Sequence, residues 1–204
     1  DFTDDIRAGL TWLRARSDID PNRLGLVGHS EGGMIAPMIG ATDPKVRALV
    51  LVAGPAKTGR AISAFQRRYV IDRDPSIAPA KRDSAFAASE RAVDAAAAAP
   101  GWIHFWLDYD PIPTARRVKA TTLVLQGETD TQITPEQAAT LAQAIRGGGN
   151  SDVPVHTFSN INHHMPEDPS GKSKGYSTPT SYRVRRAFLG AMPHWLARAV
   201  PSAY

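Results

Sequence analysis

Apolar residues recur along this chain in two patterns, short continuous runs and longer stretches with helical spacing. Continuous runs at 23–28, 45–53, 121–126 and 153–158 are bounded by turn-forming residues, which is typical of buried strands. Ile6, Leu10 and Leu13 share one face of a predicted helix over 2–16, with Thr3 as its candidate N-cap. Further helices are predicted after Ser30 to about Ala41, over 61–72, 81–99, 102–109 and 135–146, and from Tyr182 to Val200.

The alternation of strands and helices predicts an α/β fold with a mostly parallel sheet and helices on both faces. Between the second and third runs, residues 58–110 contain helical spacing only, and they are too many for a loop in a compact domain. We therefore expect residues 1–57 and 114–204 to form the core, and residues 58–113 to form a helical insertion over one end of the sheet.

The first strand-like run leads into the sequence Gly28-His29-Ser30-Glu31-Gly32-Gly33, after which helical spacing begins. A serine between two glycines at a strand-to-helix corner is the G-x-S-x-G pattern, in which a strained turn exposes the serine hydroxyl. We expect glycine at 28 and 32 because a Cβ there would clash with the neighbouring strand or helix. Ser30 is the candidate nucleophile, and the Glu31 N–H at the helix start is the candidate oxyanion donor. A glycine-rich turn without chemistry is the alternative.

A serine nucleophile needs a histidine base and a carboxylate that holds the base, and both should follow strand ends. The loop after the third strand contains Glu128 and Asp130. Asp130 is favoured because two more residues carry it past the strand end, whereas residues 54–58, after the second strand, contain no carboxylate. A surface turn aspartate is the alternative for Asp130.

Two adjacent histidines, His163 and His164, follow the fourth predicted strand. Adjacent side chains point in different directions, so we expect only one of them to reach Ser30. A histidine pair can also indicate a metal, but no third ligand with suitable spacing is nearby, so no metal site is predicted. We expect His29 to pack under the serine turn. The remaining histidines are expected to be surface or hydrogen-bonded residues: His104, His156 and His194.

Composition excludes several classes of function. The 204 residues, 42% hydrophobic and 22% charged, suffice for one domain with a sizeable core. The net charge of +4 comes from scattered basic residues without an aromatic stripe, so no nucleic-acid partner is expected. The chain has no cysteine, and it has no apolar run of about 18 residues, so no thiolate metal site and no membrane span are predicted. No targeting signal is visible, and both the cytoplasm and secretion stay open.

Five stretches carry a family resemblance: Leu24–Gly33, Leu51–Pro55, Tyr109–Pro111, Leu123–Asp130 and Asn162–His163. They are similar to α/β-hydrolases, specifically to the bacterial carboxylesterases related to serine aminopeptidases. The resemblance implies Ser30 as nucleophile, Asp130 as acid and His163 as base, with the insertion as a cap and no cofactor. One departure is His164, because members of this branch often carry an apolar residue after the catalytic histidine.

The second departure lies ahead of the serine turn. The superfamily has strands there, and a loop after one of them supplies a second oxyanion N–H. Nothing in the sequence corresponds to these strands, so we expect the chain to be the C-terminal part of an α/β-hydrolase. The strand ending at Gly28 would then be an edge with unpaired groups. Such an edge predicts a homodimer or completion by a missing N-terminal segment.

The resemblance implies a serine hydrolase that cleaves small-molecule carboxylic esters through an acyl-enzyme. Peptidases and thioesterases use the same triad, and they stay open, whereas a serine nucleophile argues against dehalogenase and epoxide hydrolase chemistry. A hypothesis of another class is a catalytically impaired fragment that serves as an interaction module through its sheet edge. A turnover assay would discriminate between these classes.

An aromatic stripe lies within the insertion. Its members are spaced at i, i+3, i+4 and i+7, which places them on one face of a short helix. We expect them either to pack the insertion onto the core or to line an acyl pocket. The stripe consists of Trp102, Phe105, Trp106 and Tyr109.

Overall fold

The structure, a computed structural model, describes residues 2–171 and 183–200. Its contacts divide the chain into two compact units, one of residues 1–56 with 111–204 and one of residues 57–110. The helices are α1 (Phe2–Arg14), α2 (Glu31–Gly40), α3 (Gly59–Arg73), α4 (Arg82–Ala96), α5 (Trp102–Asp108), α6 (Pro111–Ala115), α7 (Glu136–Gly147) and α8 (Arg186–Ala199). The first unit contains the sheet and the second is helical.

The sheet confirms the predicted α/β class. Four strands pair in parallel in sequence order: β1 (Leu24–His29), β2 (Val46–Val52), β3 (Thr121–Gly127) and β4 (Val155–Phe158). β4 begins later than the predicted 153, since Pro154 accepts from the Val124 N–H at 2.9 Å but has no N–H to donate in return. In the described sheet β1 has β2 as its one neighbour.

Helices cover both faces of the sheet. Successive side chains of each strand point to opposite faces, so both sets of side chains pack against helices. On one face Leu49 and Val124 belong to the same buried cluster as Leu10 of α1, Ile39 of α2 and Leu141 of α7. On the other face α8 contacts β2 and β3, and its Phe188 and Trp195 are buried. Because both faces of the parallel strands β2 and β3 are buried, their sequences are nearly continuous apolar runs.

One helix prediction is wrong, one helix was not predicted, and one predicted boundary is not described. Helix α1 begins at Phe2, so Thr3 lies inside the first turn and the expected cap at Thr3 is wrong. Helix α6 was not predicted, because Pro111 and Pro113 dominate its five residues and leave no periodic pattern to detect. The predicted start of the last helix, Tyr182, lies outside the described residues.

The second unit consists of α3, α4 and α5, with a 3₁₀ turn at Pro79–Lys81 between the first two helices. Thr58 caps α3 by accepting a hydrogen bond from the Ala61 N–H. No residue of α4 is buried, and polar pairs such as Arg67 with Glu90 link it to α3. This unit is therefore held by ion pairs as well as by apolar packing.

Candidate active site

Ser30 lies at the junction of β1 and α2, in a strained backbone conformation. Its φ of 54° and ψ of −114° fall in a region that non-glycine residues rarely adopt. The Ser30 N–H donates to the Val52 carbonyl at 2.9 Å, and its own carbonyl accepts from the Gly33 N–H at 2.9 Å. Such strain persists only where surrounding contacts enforce it, and it is a recurrent feature of functional sites.

The glycines around Ser30 have different roles. A Cβ on Gly28 would lie 2.0 Å from the Gly32 carbonyl oxygen, so this position requires glycine. A Cβ on Gly32 would meet nothing within 4 Å, so the predicted clash at Gly32 is wrong. At Gly33, by contrast, a Cβ would lie 2.7 Å from the Gly54 Cα. The close approach of α2 to the loop after β2 therefore depends on Gly33, one residue further along the helix.

Glu31 is the first residue of α2. The first N–H groups of a helix have no acceptor within the helix, and the helix dipole favours negative charge at that end. This position is compatible with the predicted oxyanion donor, and the role of the Glu31 N–H stays a prediction.

Asp130 is buried and accepts four hydrogen bonds. Its Oδ1 accepts from the backbone N–H groups of Gln132 and Ile133, at 2.8 Å and 2.9 Å. Its Oδ2 accepts from Gln126 Nε2 at 3.0 Å and from His163 Nδ1 at 2.9 Å. The alternative acid, Glu128, is exposed. Asp130 is therefore the carboxylate of this loop that contacts a histidine.

His163 is 2% exposed, and its Nδ1 faces Asp130. Because an ionised carboxylate only accepts, Nδ1 carries the proton, and Nε2 is left with a lone pair. That tautomer is the one a general base needs. The neighbouring His164 is exposed, and its pKa is lowered by partial burial and by the adjacent His163.

The loop that follows β4 carries His163 and is called the histidine loop. His29 links this loop to the turn of Ser30. Its Nε2 donates to the His163 carbonyl at 2.8 Å, and the two ring centroids are 4.7 Å apart. The residue is exposed, so the expected packing under the turn is wrong: Gly28 faces α2, and alternation directs His29 to the other face. The side of the ring against His163 is desolvated, which lowers the pKa of His29. This contact brings His163 next to the residue that precedes Ser30.

The histidine loop packs against the end of β3. A Cβ on Gly127 would lie 2.2 Å from the Ile161 carbonyl oxygen, so the two backbones are in direct contact. The Thr129 N–H donates to the same carbonyl at 3.1 Å. The loop that carries Asp130 and the loop that carries His163 therefore form one packed unit.

Asp168 closes the histidine loop from its far end. It is buried, and its carboxylate accepts from Asn162 Nδ2 at 3.1 Å and from Ser170 Oγ at 2.6 Å. Burial acts to raise the pKa of Asp168, but the hydrogen bonds from Ser170 and Asn162 outweigh it, and the pKa is lowered. Asn160 and Met165, on either side of His163, have positive φ values of 61° and 70°. The Asn162–Asp168 pair thus stabilises a strained loop.

The aromatic stripe lies in the second unit. Phe105 stacks against Trp102 and Tyr109, with ring centroids 5.4 Å and 5.1 Å apart. Trp106 packs against Gly59 of α3, where a Cβ would lie 2.4 Å from the indole. The stripe therefore contributes to packing within the insertion, and its place in a substrate pocket stays a prediction.

Residues 2–171 and 183–200 contain no cluster of three or more metal-ligating side chains. No helix in these ranges is long and apolar enough to cross a membrane.

Gln126 and Asp168 contact the loops of the candidate site, and neither was predicted from the sequence. Gln126 directly follows the apolar residues Leu123–Leu125, and a glutamine at the end of such a run was the available signal. Asp168 had no comparable signal, because its partners become visible only when the loop folds.

The chain matches the profile of a known protein family. The sequence profile described as "Prolyl oligopeptidase family" matches residues 2–190. No curated protein sequence matches the chain significantly.

Similar solved structures cover nearly all of this chain but only part of their own length. An esterase from Pyrococcus furiosus has a TM-score of 0.59 and 12% identity, over 95% of this chain and 60% of the esterase. An acylaminoacyl peptidase from Pyrococcus horikoshii has a TM-score of 0.62 and 16% identity, over 99% of this chain and 28% of the peptidase. A puromycin-hydrolyzing peptidase from Mycobacterium tuberculosis has a TM-score of 0.61 and 17% identity, over 98% and 25%. At these identities the likeness shows the fold. With the profile match over most of the sequence, it establishes that the chain belongs to the prolyl oligopeptidase family of α/β-hydrolases.

Proposed function

We propose that this hydrolase cleaves carboxylic esters with Ser30 as nucleophile, His163 as general base and Asp130 as the acid that orients it. The observation that carries the proposal is the buried hydrogen bond between His163 Nδ1 and Asp130 Oδ2, at 2.9 Å. His29 joins His163 to the strained turn of Ser30. A serine hydroxyl is activated when a histidine held by a carboxylate can reach it, and we propose that His163 reaches Ser30 Oγ.

The chemistry follows from these positions. His163 Nε2 takes the Ser30 Oγ proton as Oγ attacks the ester carbonyl carbon, and the oxyanion accepts from the Glu31 N–H. Collapse of the tetrahedral intermediate breaks the bond to the alcohol oxygen, which leaves with the proton held by His163. A water molecule then gives a proton to His163 as it attacks the acyl-Ser30, and His163 returns that proton to Ser30 Oγ when the second tetrahedral intermediate collapses. The products are the carboxylic acid and free Ser30.

The test is a panel of p-nitrophenyl esters of increasing acyl length beside matched aminoacyl p-nitroanilides and thioesters. We expect ester turnover that Ser30→Ala abolishes and that Ser17→Ala, on an exposed serine, leaves unchanged. Anilide or thioester turnover above ester turnover would move the proposal to a peptidase or thioesterase with the same triad. Ester turnover by Ser30→Ala equal to that of the unaltered protein would overturn it.

The aromatic stripe is proposed to line an acyl pocket, and Trp106→Ala tests this. Trp106 packs on Gly59, so its loss lowers the stability of the helical unit in either case. A pocket role also changes the preferred acyl length in the ester panel. An unchanged preference with reduced thermal stability would leave packing as the role of Trp106.

A second candidate function rests on the edge of the sheet. Val27 of β1 is 59% exposed, and an apolar groove of about 80 Å³ lies beside it, lined by residues such as Ile6 and Ile35. Exposed apolar strand edges pair with other strands. We propose a homodimer across this edge, tested by multi-angle light scattering on the 204-residue chain. A monomer at high concentration would contradict it, and a dimer without ester turnover would favour an interaction module.

A further inference from the structure

A glutamine is buried within the sheet. Gln126 is on β3 and has no exposed surface. The residues before it on the strand, Leu123, Val124 and Leu125, are apolar and equally buried. Burying an amide costs free energy unless its hydrogen-bonding groups find partners, so a buried glutamine needs a reason.

The Gln126 amide points toward the loop after β3 that carries Asp130. Nε2 lies 3.0 Å from Asp130 Oδ2 and 3.0 Å from the Ile133 carbonyl oxygen, and 3.2 Å from the Gly127 carbonyl oxygen. All three are acceptors, so they fix which end of the amide is the nitrogen. Oε1 is buried without a hydrogen-bond partner among the described residues. The side chain therefore gives up one hydrogen bond and places both donors on this loop.

This arrangement limits how the Asp130 carboxylate can turn. Oδ1 is held by two backbone N–H groups, and Oδ2 is shared by Gln126 and His163. Without Gln126, Oδ2 would have His163 as its one side-chain donor, and rotation of the carboxylate would change the direction of that bond. Gln126 also ties Oδ2 to Ile133, at the far end of the loop.

We propose that Gln126 is a positioning residue for the catalytic acid, which it holds in the orientation that keeps the proton on His163 Nδ1. The inference rests on the proposed function of Asp130 and His163. Gln126 touches neither substrate nor reacting atoms and acts through Asp130. Its neutral donor also offsets part of the desolvation of a buried carboxylate.

The test uses Gln126→Met, which keeps the shape of the side chain and removes the donor. We expect kcat for the best ester to fall about 10- to 100-fold with KM unchanged, because a hydrogen bond to a charged group is lost. We also expect the downfield proton resonance of His163 Nδ1–H to shift or broaden. Gln126→Glu, which puts an acceptor beside Asp130, should lower kcat further.

Gln137→Met is the matched control. Gln137 is 2% exposed. Its Oε1 accepts a hydrogen bond from Ala56 N and its Nε2 donates one to Thr134 Oγ1, so its hydrogen bonds do not involve Asp130. We expect this variant to lose stability as Gln126→Met does, with kcat and the His163 resonance unchanged. A Gln126→Met protein with kcat within twofold of the unaltered protein and an unchanged resonance would overturn the inference.

If Gln126→Met does not fold, a second measurement on other, folded variants tests the inference. The Gln126 side-chain amide resonances should shift in Asp130→Asn and stay in place in Glu128→Gln, and an unshifted resonance in Asp130→Asn would overturn the inference. Absence of turnover in the unaltered protein would instead overturn the proposed function. In that case the His163 resonance in Gln126→Met decides the positioning claim: a shift supports it and no shift refutes it.

Discussion

Replacement of Asp130 by asparagine removes one acceptor oxygen while it keeps the shape of the side chain. If the remaining oxygen stays on the two backbone N–H groups of Gln132 and Ile133, the new NH₂ faces Gln126 and His163. We expect this orientation, because the backbone donors cannot change whereas an imidazole can change its tautomer. His163 then accepts through Nδ1 and carries its proton on Nε2.

The two consequences have different magnitudes. A histidine protonated on Nε2 cannot take the Ser30 proton, and the same change in a Ser-His-Asp triad lowers the rate about 10⁴-fold, or roughly 5.5 kcal/mol of barrier. Stability falls less, because only the Gln126 donor is left facing another donor, at a cost of about 1–3 kcal/mol. We therefore expect a folded protein that is almost inactive.

Single-turnover hydrolysis of an activated ester measures the first effect, and urea unfolding followed by circular dichroism measures the second. Glu128→Gln is the matched control, because this exposed carboxylate lies two residues away and was the alternative acid. It should leave both measurements unchanged. A folded Asp130→Asn protein within tenfold of the unaltered rate would refute the assignment, as would an equal loss in Glu128→Gln.

Three further predictions concern the loops and the serine turn. Gly127→Ala places a Cβ 2.2 Å from the Ile161 oxygen, so thermal unfolding should begin at a lower temperature and ester turnover should fall together with it. Gly28→Ala should destabilise by about 1–3 kcal/mol or more in urea unfolding, whereas Gly32→Ala should be neutral or stabilising; equal effects would contradict the steric account. The lowered pKa of Asp168 means that its stabilisation is present above pH 3.8 and is lost as the pH falls through the folded value. In urea unfolding, Asp168→Asn should be less stable than the unaltered protein near neutral pH, and the difference in free energy of unfolding should shrink in acid. A difference that does not depend on pH would contradict this linkage.

Much of this fold could be predicted from the sequence, because parallel strands buried on both faces form apolar runs that stand out. The positions of Ser30, Asp130 and His163 after the first, third and fourth strands could be predicted for the same reason, since the carboxyl ends of parallel strands share one edge of the sheet. The structure brings Asp130 and His163 into hydrogen-bond contact, as that argument expects.

What could not be predicted depends on contacts between distant segments. The role of Gly127 follows from the close approach of Ile161, and nothing near Gly127 in the sequence announces it. The direction of His29 depends on which face of β1 meets α2, and the motif alone does not fix that face. Helix α6 is too short and too rich in proline to produce a periodic pattern.

The central claim is that Ser30 is activated by His163, and active-site labelling tests it most directly. The 204-residue chain is treated with a fluorophosphonate, and the adduct is located by peptide mass spectrometry, beside the variants Ser30→Ala and His163→Asn. We expect one phosphonylated residue, Ser30, no label in Ser30→Ala and labelling slowed by several orders of magnitude in His163→Asn. A label on another residue, or equal labelling rates with and without His163, would contradict it.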